Sequence, residues 1–192
     1  MLDECARLLD EVGYAALTTK EVARRAEVPL GTFYQFFTDK QGLVRALALR
    51  NLEAYLDLIA TRLADAPPSD WTDAVDLVVD EFVRMKRTTP GFGVVDFGEV
   101  LAAPGGPALP GTQRMLDEAL ENNVVVADRL RSLVVEWLGV APGHDLSRAF
   151  VVAVEAADAV LKLAFRAHPE GDPDLIVECK RLVRRYLSDY LH

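Results

Sequence analysis

The chain has 192 residues, of which 51% are hydrophobic, and a formal net charge of −9 at pH 7. This length suffices for one sizeable hydrophobic core and a small satellite domain, and the absence of any run of about eighteen uncharged apolar residues predicts no membrane span. Because Met1 leads directly into an amphipathic segment without a signal-peptide pattern, we expect a cytoplasmic protein.

The first two predicted helices lie within the first 26 residues. Apolar residues recur at helical spacing in the first dozen positions, and Gly13 predicts the end of that helix. The pattern Thr18-x-x-Glu21 is typical of a capping box, in which each side chain bonds the other residue's backbone N–H. It predicts the start of a second helix, about nine residues long, that loses its apolar pattern at Glu27.

A tight turn and a third helix follow. Pro29 cannot continue a helix but suits the first turn of a new one, so a turn is expected at 27–29. The third helix is predicted over 30–37, with Phe33 and Phe37 toward the core. Its other surface carries short, polar or flat side chains, as a surface facing a DNA groove requires. Helix, turn and helix in this order predict a helix-turn-helix motif at about 18–37.

The rest of the chain predicts only helices. Thr38-x-x-Gln41 repeats the capping box and opens a long helix to Asp65, whose predicted buried stripe is Leu49, Leu52, Leu56, Ile59 and Leu63. Pro67 and Pro68 end it, and Ser69 or Asp70 is expected to cap the next helix. Further helices are expected at 70–88, 94–102, 113–138, 145–168, opened by Asp145 or Ser147, and 172–191. The fold class is therefore all-α, with about nine helices.

The segment from Thr18 to Lys40 resembles the DNA-binding domain of the TetR family of bacterial transcriptional regulators. The residues that carry the resemblance are Thr18, Thr19, Val22, Ala23, Ala26, Val28, Gly31, Thr32, Tyr34, Phe37, Lys40 and Leu43. The resemblance implies a three-helix DNA-binding domain at 1–46 and a larger helical domain for ligand binding and dimerisation at 47–192. It implies a ligand-responsive regulator, a repressor that binds a palindromic operator as a homodimer and is released by a small molecule.

The resemblance also implies which side chains meet DNA. Thr32, Gln35 and the helix start at Pro29, Leu30 and Gly31 are expected at base edges. Thr18, Thr19, Tyr34 and Lys40 are expected to hold phosphates. Arg24 and Arg25 are expected to be solvated rather than to contact DNA.

The larger domain is expected to hold a cavity for a small molecule among its helices. The candidate wall residues are large and apolar: Phe82, Met85, Phe92, Phe97, Met115, Trp137 and Phe150. Polar candidates that would orient a ligand are Asn122, Asn123, Glu155 and Asp158. Each has an alternative interpretation, because large apolar residues on helices are often plain core, and Asp158 with Lys162 has the spacing of an ion pair within one helix.

The last two helices, at 145–168 and 172–191, are the expected dimer interface. The first is nearly continuous in Ala, Val, Leu and Phe, and the second has an apolar stripe of its own. A two-fold DNA site requires a two-fold dimer. Burial inside one subunit is the alternative explanation of these residues.

Charge distribution leaves a second function open. Residues 1–50 carry seven basic and seven acidic side chains, so they sum to zero, while the remaining residues carry the whole −9. Because the predicted DNA-binding domain has so little positive charge, a second function stays open: a helical small-molecule-binding dimer with weak or lost DNA binding. The sequence predicts no enzyme, cofactor or metal site, because no catalytic motif is present and the spacing of Cys5 and Cys179 predicts buried reduced thiols.

Overall fold

In this computed structural model the described residues, 1–97, 112–139 and 143–191, form an all-helical fold with no β-strand. The side chains of 112–122 and of residue 167 are not described. Eight helices are found in the described residues: α1 Leu2–Ala16, α2 Thr19–Arg25, α3 Leu30–Phe36, α4 Lys40–Asp65, α5 Trp71–Thr88, α6 Thr112–Leu138, α7 His144–Ala167 and α8 Pro173–Leu187. The all-α prediction is confirmed. None of the helices in these ranges is long and apolar enough to cross a membrane.

The helix expected at 94–102 is not present in residues 94–97. The backbone N–H groups of Val94 and Val95 instead donate to the carbonyl of Gly91, at 3.1 and 2.8 Å, so the chain makes a turn there. Residues 98–102 lie outside the described residues. Apolar periodicity over so short a stretch does not separate a helix from a buried turn.

Helix caps differ from the prediction at two starts. Asp39, and not Thr38, caps α4, since its Oδ1 accepts from the Gly42 N–H at 2.7 Å. The helix begins at Lys40, which places Asp39 immediately before the first turn. At α7 the N-cap is Gly143, so neither Asp145 nor Ser147 caps that helix. Asp70 does cap α5, where its Oδ1 accepts from the N–H groups of residues 72 and 73 at 2.8 and 3.1 Å.

Met1–Glu53 and the described part of Lys86–Ala119 form a first compact unit. Its core is built by α1 to α4, and fully buried side chains include Leu9, Leu17, Val22, Phe33 and Leu47. The expected stripe on α4 is wrong at Leu49, which is 46% exposed, whereas Leu52, Leu56 and Ile59 are buried. Two faces of α4 carry leucines, and only the face that meets other helices is covered.

The segment 86–97 completes the core of this first unit. Val95 is fully buried in the same cluster as Cys5, Ala6 and Leu9. The Gly91 N–H donates to Asp10 Oδ2 on α1 at 2.9 Å. Lys86 Nζ is buried and donates to Asp96 Oδ2 and to the Phe92 carbonyl, both at 3.2 Å.

Ala54–Met85 and the described part of Leu120–His192 form a second compact unit. Asp172 caps α8 by accepting from the N–H groups of residues 174 and 175, at 2.9 and 3.3 Å. Arg184 Nη1 on α8 lies 2.9 Å from both carboxylate oxygens of Asp76 on α5. The Tyr55 hydroxyl on α4 donates to the Val78 carbonyl on α5 at 2.9 Å. These bonds fix the register of the helices within the unit.

Both cysteines are buried thiols. Burial raises the pKa of Cys5 to about 12 and that of Cys179 to about 11. A thiol with so high a pKa is protonated at neutral pH and is a poor nucleophile and metal ligand. The Cys179 Sγ instead lies 3.8 Å from the carbonyl of Ala157.

We expect Gly91→Ala to destabilise the protein by roughly 2–4 kcal/mol, measured by urea unfolding at fixed protein concentration. The φ of Gly91 is +75°, and a Cβ there would lie 2.9 Å from the Ala6 Cα. The matched control is Gly93→Ala, because its Cβ would meet no atom closer than 3.9 Å. That control is expected to stay within about 0.5 kcal/mol. Equal effects of the two changes would contradict the close approach.

Candidate nucleic-acid interface and effector cavity

The α2–turn–α3 segment forms the motif that the sequence predicts. The Thr18 Oγ1 caps α2 by accepting from the Glu21 N–H at 3.2 Å. The turn passes through Glu27, whose φ of 55° is positive, and the Val28 N–H bonds the Ala23 carbonyl at 2.9 Å. Pro29 then caps α3, where its carbonyl accepts from the N–H groups of residues 32 and 33.

The outer surface of α3 is exposed, as a surface that reads DNA must be. Tyr34 is 51% exposed and Leu30 40%, and Pro29, Gly31 and Gln35 are also exposed. Thr32 is half-buried. The opposite side of the helix is held by Phe33, which is fully buried and packs edge-on against the Tyr34 ring. The buried Phe33 therefore fixes the position of α3, and the exposed side chains of its outer surface differ in length.

Phe36 is an exposed aromatic residue that the sequence analysis does not assign. It is 68% exposed, whereas Phe33 is fully buried and Phe37 is half-buried. Phe36 and Phe37 follow Phe33 at the i+3 and i+4 positions, the spacing of one helix face, so the sequence spacing gives no signal that Phe36 lies outside. The helix ends at Phe36, and the backbone of Phe37 is already extended.

Tyr34 and Lys40, both expected at phosphates, also have partners within the protein. The Tyr34 hydroxyl lies 3.2 Å from the Thr19 Oγ1, which links α3 to the start of α2. Lys40 Nζ donates to the Tyr14 carbonyl at 3.0 Å and lies 4.4 Å from the centre of the Tyr14 ring. The structure therefore brings Thr18, Thr19 and Tyr34 together at one end of the motif, while Lys40 braces the end of α1.

Arg24 and Arg25 are paired with carboxylates rather than solvated alone. Glu21 accepts from the guanidinium groups of Arg24, at 2.9 and 2.7 Å, and of Arg25, at 3.1 Å. Arg25 also donates to Glu11 at 2.7 Å. Hydrogen bonds from the two arginines lower the pKa of Glu21 to about 2. The Arg24 side chain is 68% exposed and that of Arg25 29%, so these surface ion pairs do not contradict the expectation of solvated arginines, although they neutralise both cations locally.

The second unit contains a cavity among α4 to α8, with about 80 Å³ of space for the centres of water-sized molecules. The described side chains that line it are apolar: Ile59, Leu63, Trp71, Ala74, Val75, Val78, Val79, Leu130, Leu133, Val134, Phe150, Ala153, Val154, Ala157, Val183, Leu187 and Leu191. Of the predicted wall residues whose side chains are described, Phe150 alone lies in this lining.

The other predicted ligand residues lie elsewhere. Phe82 and Met85 are buried in the second unit, and Phe82 packs edge-on against Tyr55. Phe92 and Phe97 belong to the first unit, where their ring centres lie 5.2 Å apart. Asp158 pairs with Lys162 at 2.6 Å. Half-buried residues outside the lining are Asn123, Trp137 and Glu155, and the side chains of Met115 and Asn122 lie outside those described.

Family comparisons agree with both halves of this architecture. Residues 1–47 match the tetR family of bacterial regulatory proteins, and residues 69–191 match the tetracyclin repressor-like C-terminal domain. The chain belongs to the TetR family. TetR-family regulators are DNA-binding transcription factors and not enzymes.

Individual relatives support the same membership. A TetR-family transcriptional regulator from Streptomyces coelicolor has 44% sequence identity and a TM-score of 0.81, over 99% of this chain and 96% of that one. The fatty acid degradation regulator FadR from Bacillus halodurans shares the fold, with 17% identity and a TM-score of 0.65 over 97% and 95% of the two chains. YvkB of Bacillus subtilis (strain 168), described as an uncharacterized HTH-type transcriptional regulator, is 49% identical over 47 residues. That match spans 24% of this chain and 25% of YvkB.

Within this TetR-family domain we expect Glu21 to titrate with a pKa of about 2, measured by NMR of its side-chain carboxyl carbon. Arg25→Gln is expected to raise this pKa toward 4.5, whereas Lys20→Gln, which removes an exposed cation from the same helix, leaves it nearly unchanged. Because the folded-state pKa is lowered, the stabilisation from this pair is present above pH 4.5 and is lost as the pH falls toward 2. A pKa near 4.5 in the unmodified protein would contradict the pairing.

Proposed function

We propose that this protein is a ligand-responsive repressor that binds a palindromic operator as a homodimer and is released by a small molecule. The exposed outer surface of α3, on a helix whose inner side is anchored by Phe33, carries the proposal. In this proposal, residues 1–46 form the domain that binds DNA, and residues 47–192 form the domain that binds the effector and the second subunit. We place the protein in the cytoplasm, where the operator is.

Base reading is assigned to the first turns of α3. A glutamine such as Gln35 can bond both N6 and N7 of adenine, and the Thr32 hydroxyl can bond several base edges. The exposed Leu30 suits contact with a thymine methyl, next to Pro29. A Cβ at Gly31 would meet no atom within 4 Å, so the absence of a side chain there leaves room for the DNA itself.

Phosphate contacts are assigned to Thr18, Thr19, Tyr34 and Lys40. The Tyr34 and Thr19 hydroxyl groups lie 3.2 Å apart, so one donates to the other and the second keeps its hydrogen for a phosphate oxygen. Lys40 has three N–H donors, and the bond to the Tyr14 carbonyl uses one of them. With Arg24 and Arg25 paired to Glu21, we infer few phosphate contacts and a modest dependence of affinity on salt.

The proposed dimer interface combines α7 and α8. On α7, Val152 and Leu163 are 43% and 45% exposed and share a helix face with the exposed Ala159. On α8, Val177 is 58% exposed and Leu182 41%. Glu155 lies near the same face of α7 and outside the cavity lining, so its carboxylate is available to a cation of the second subunit. Burial of such apolar stripes against their own copies is the usual way in which a two-fold dimer forms.

The effector is assigned to the cavity of the second unit. Helix α5 supplies Ala74, Val78 and other wall residues, and its last residues, from Lys86 onward, belong to the first unit. A ligand that binds one helix arrangement better than another shifts the population toward it. We propose that this shift changes the separation of the two α3 helices from the value of about 34–36 Å that successive major grooves require.

Operator selection from random DNA, with purified protein at low salt, is expected to enrich a palindrome with half-sites about one helical turn apart. Tyr34→Ala should weaken binding to all sequences and leave the salt slope nearly unchanged, because a neutral hydroxyl that bonds a phosphate releases no counterion. The double change Thr32→Ala with Gln35→Ala should relax base preference by about 1–3 kcal/mol for each of the two side chains removed.

The matched control is Thr61→Ala, an exposed position on α4 whose hydroxyl bonds only its own helix in the structure described. It should leave operator affinity unchanged. Enrichment of no site by a dimeric protein would favour the alternative, a helical small-molecule-binding dimer without a DNA role. Retention of the base preference in the double variant would remove α3 as the reading helix.

Leu163→Glu is expected to weaken self-association by at least about tenfold in Kd, because each subunit would bury an unpaired carboxylate at the interface. Analytical ultracentrifugation over a range of protein concentrations measures this Kd of self-association. Leu49→Glu is the control, since Leu49 is similarly exposed, at 46%, on a helix that is not assigned to the interface. If the Leu163→Glu variant dimerises as tightly as the unmodified protein, the interface lies elsewhere.

A further inference from the structure

Among the described side chains, the cavity of the second unit offers a ligand no polar group apart from the edge of one indole ring. Each of five helices contributes to its wall, for example Ile59 from α4, Val78 from α5, Leu130 from α6, Phe150 from α7 and Val183 from α8. None of the lining residues that the structure describes carries a charge. A ligand group buried here gains from apolar contact and loses any hydrogen bonds that it made to water.

Two backbone carbonyls of wall residues are already engaged. The Val78 carbonyl accepts from the Tyr55 hydroxyl at 2.9 Å. The Ala157 carbonyl lies 3.8 Å from the Cys179 thiol. The polar groups that pack behind the wall are therefore turned toward one another rather than toward the cavity.

The acidic side chains of α7 near the cavity do not make its wall polar. Glu155 and Asp158 lie on α7 next to the wall residues Val154 and Ala157, but neither is in the lining. Asp158 is bonded to Lys162 at 2.6 Å. Neither carboxylate is placed to select a charged or hydrogen-bonding head group inside the cavity.

The volume limits the size of the buried group. One water molecule needs roughly 10–15 Å³ of space for its centre, so about 80 Å³ holds on the order of six water-sized groups. A methylene group is of similar size to a water molecule. The cavity is partly open, so a longer ligand can extend out of it.

We propose that the cavity binds an uncharged hydrocarbon segment of about six carbon atoms and selects against polar groups at its inner end. This inference rests on the proposed function in one respect, that the cavity is the effector site. It specifies the chemical class of the effector: a small apolar molecule, or an amphiphile that buries its hydrocarbon part here and keeps its polar part at the opening.

A series of 1-alkanols, from butanol to decanol, tests the proposal by calorimetric titration of the full-length protein without DNA. Affinity is expected to rise about three- to fourfold with each added methylene and then to level off near six to eight carbons, when the space is filled. 1,6-Hexanediol is the matched probe for polarity. We expect it to bind at least about tenfold more weakly than 1-hexanol, because its second hydroxyl would be buried without a partner.

Variants that fill the cavity provide a second test of the proposal. Ala153→Leu on α7 and Ala74→Leu on α5 each place a larger side chain in the wall and should weaken 1-hexanol binding at least about tenfold. Two variants on different helices guard against the misfolding of one, and thermal unfolding shows which of them fold. Ala64→Leu, at an exposed position of α4 outside the lining, is the control and should bind as the unmodified protein does.

Equal binding of 1-hexanol and 1,6-hexanediol would overturn the proposal, as would unchanged binding in folded variants with a filled cavity or no saturable binding of any alkanol. Because these titrations contain no DNA, they are independent of the operator experiment. Saturable binding that the filled variants lose, in a protein that selects no operator, would uphold the cavity's specificity and reject the repressor function.

Discussion

The close approach of Gly91 to the backbone of Ala6 is the constraint on which the first unit depends. It lets segment 86–97 lie against α1, where Val95 enters the core and Asp10 accepts from the Gly91 N–H. The turn also buries Lys86 and Asp96, which is tolerable because each satisfies the other and the Phe92 carbonyl takes a further ammonium hydrogen. A three-helix motif of some forty-six residues has little core of its own, and this segment adds apolar surface to it.

The surface that we assign to DNA has few net positive charges. Glu21 holds Arg24 and Arg25, Glu11 shares Arg25, and Lys40 braces Tyr14, so several cations serve the fold. DNA binding by such a surface gains less free energy from counterion release, and it depends more on the geometry of hydroxyl, amide and apolar groups. The same pairing holds α2 rigidly against α1, and a rigid α2 fixes the angle at which α3 is presented.

Local signals predicted the motif well, and tertiary relationships were harder to infer. The sequence predicts the Thr18 cap, the helix break before Pro29 and the burial of Phe33, because each of these features depends on residues that are close in sequence. The sequence predicts a helix at 94–102, but Val94 and Val95 lie in a turn that packs against α1, some eighty residues earlier in the chain. The sequence predicts a cavity wall of phenylalanine, methionine and tryptophan side chains, yet valines, leucines and alanines provide most of the described lining. Space in a helical bundle depends on which faces five helices turn to one another, and single-helix periodicity does not contain that information.

Segment 86–97 also bears on how such regulators can be recombined. A hybrid that exchanges only residues 1–47, the extent of the family's N-terminal match, would keep the host's turn beneath a foreign α1. The graft would need a small residue opposite the Gly91 backbone and an acceptor at the position of Asp10. New operator specificities are therefore expected to transfer cleanly only when the turn travels with the motif, or when substitutions are confined to the outer surface of α3.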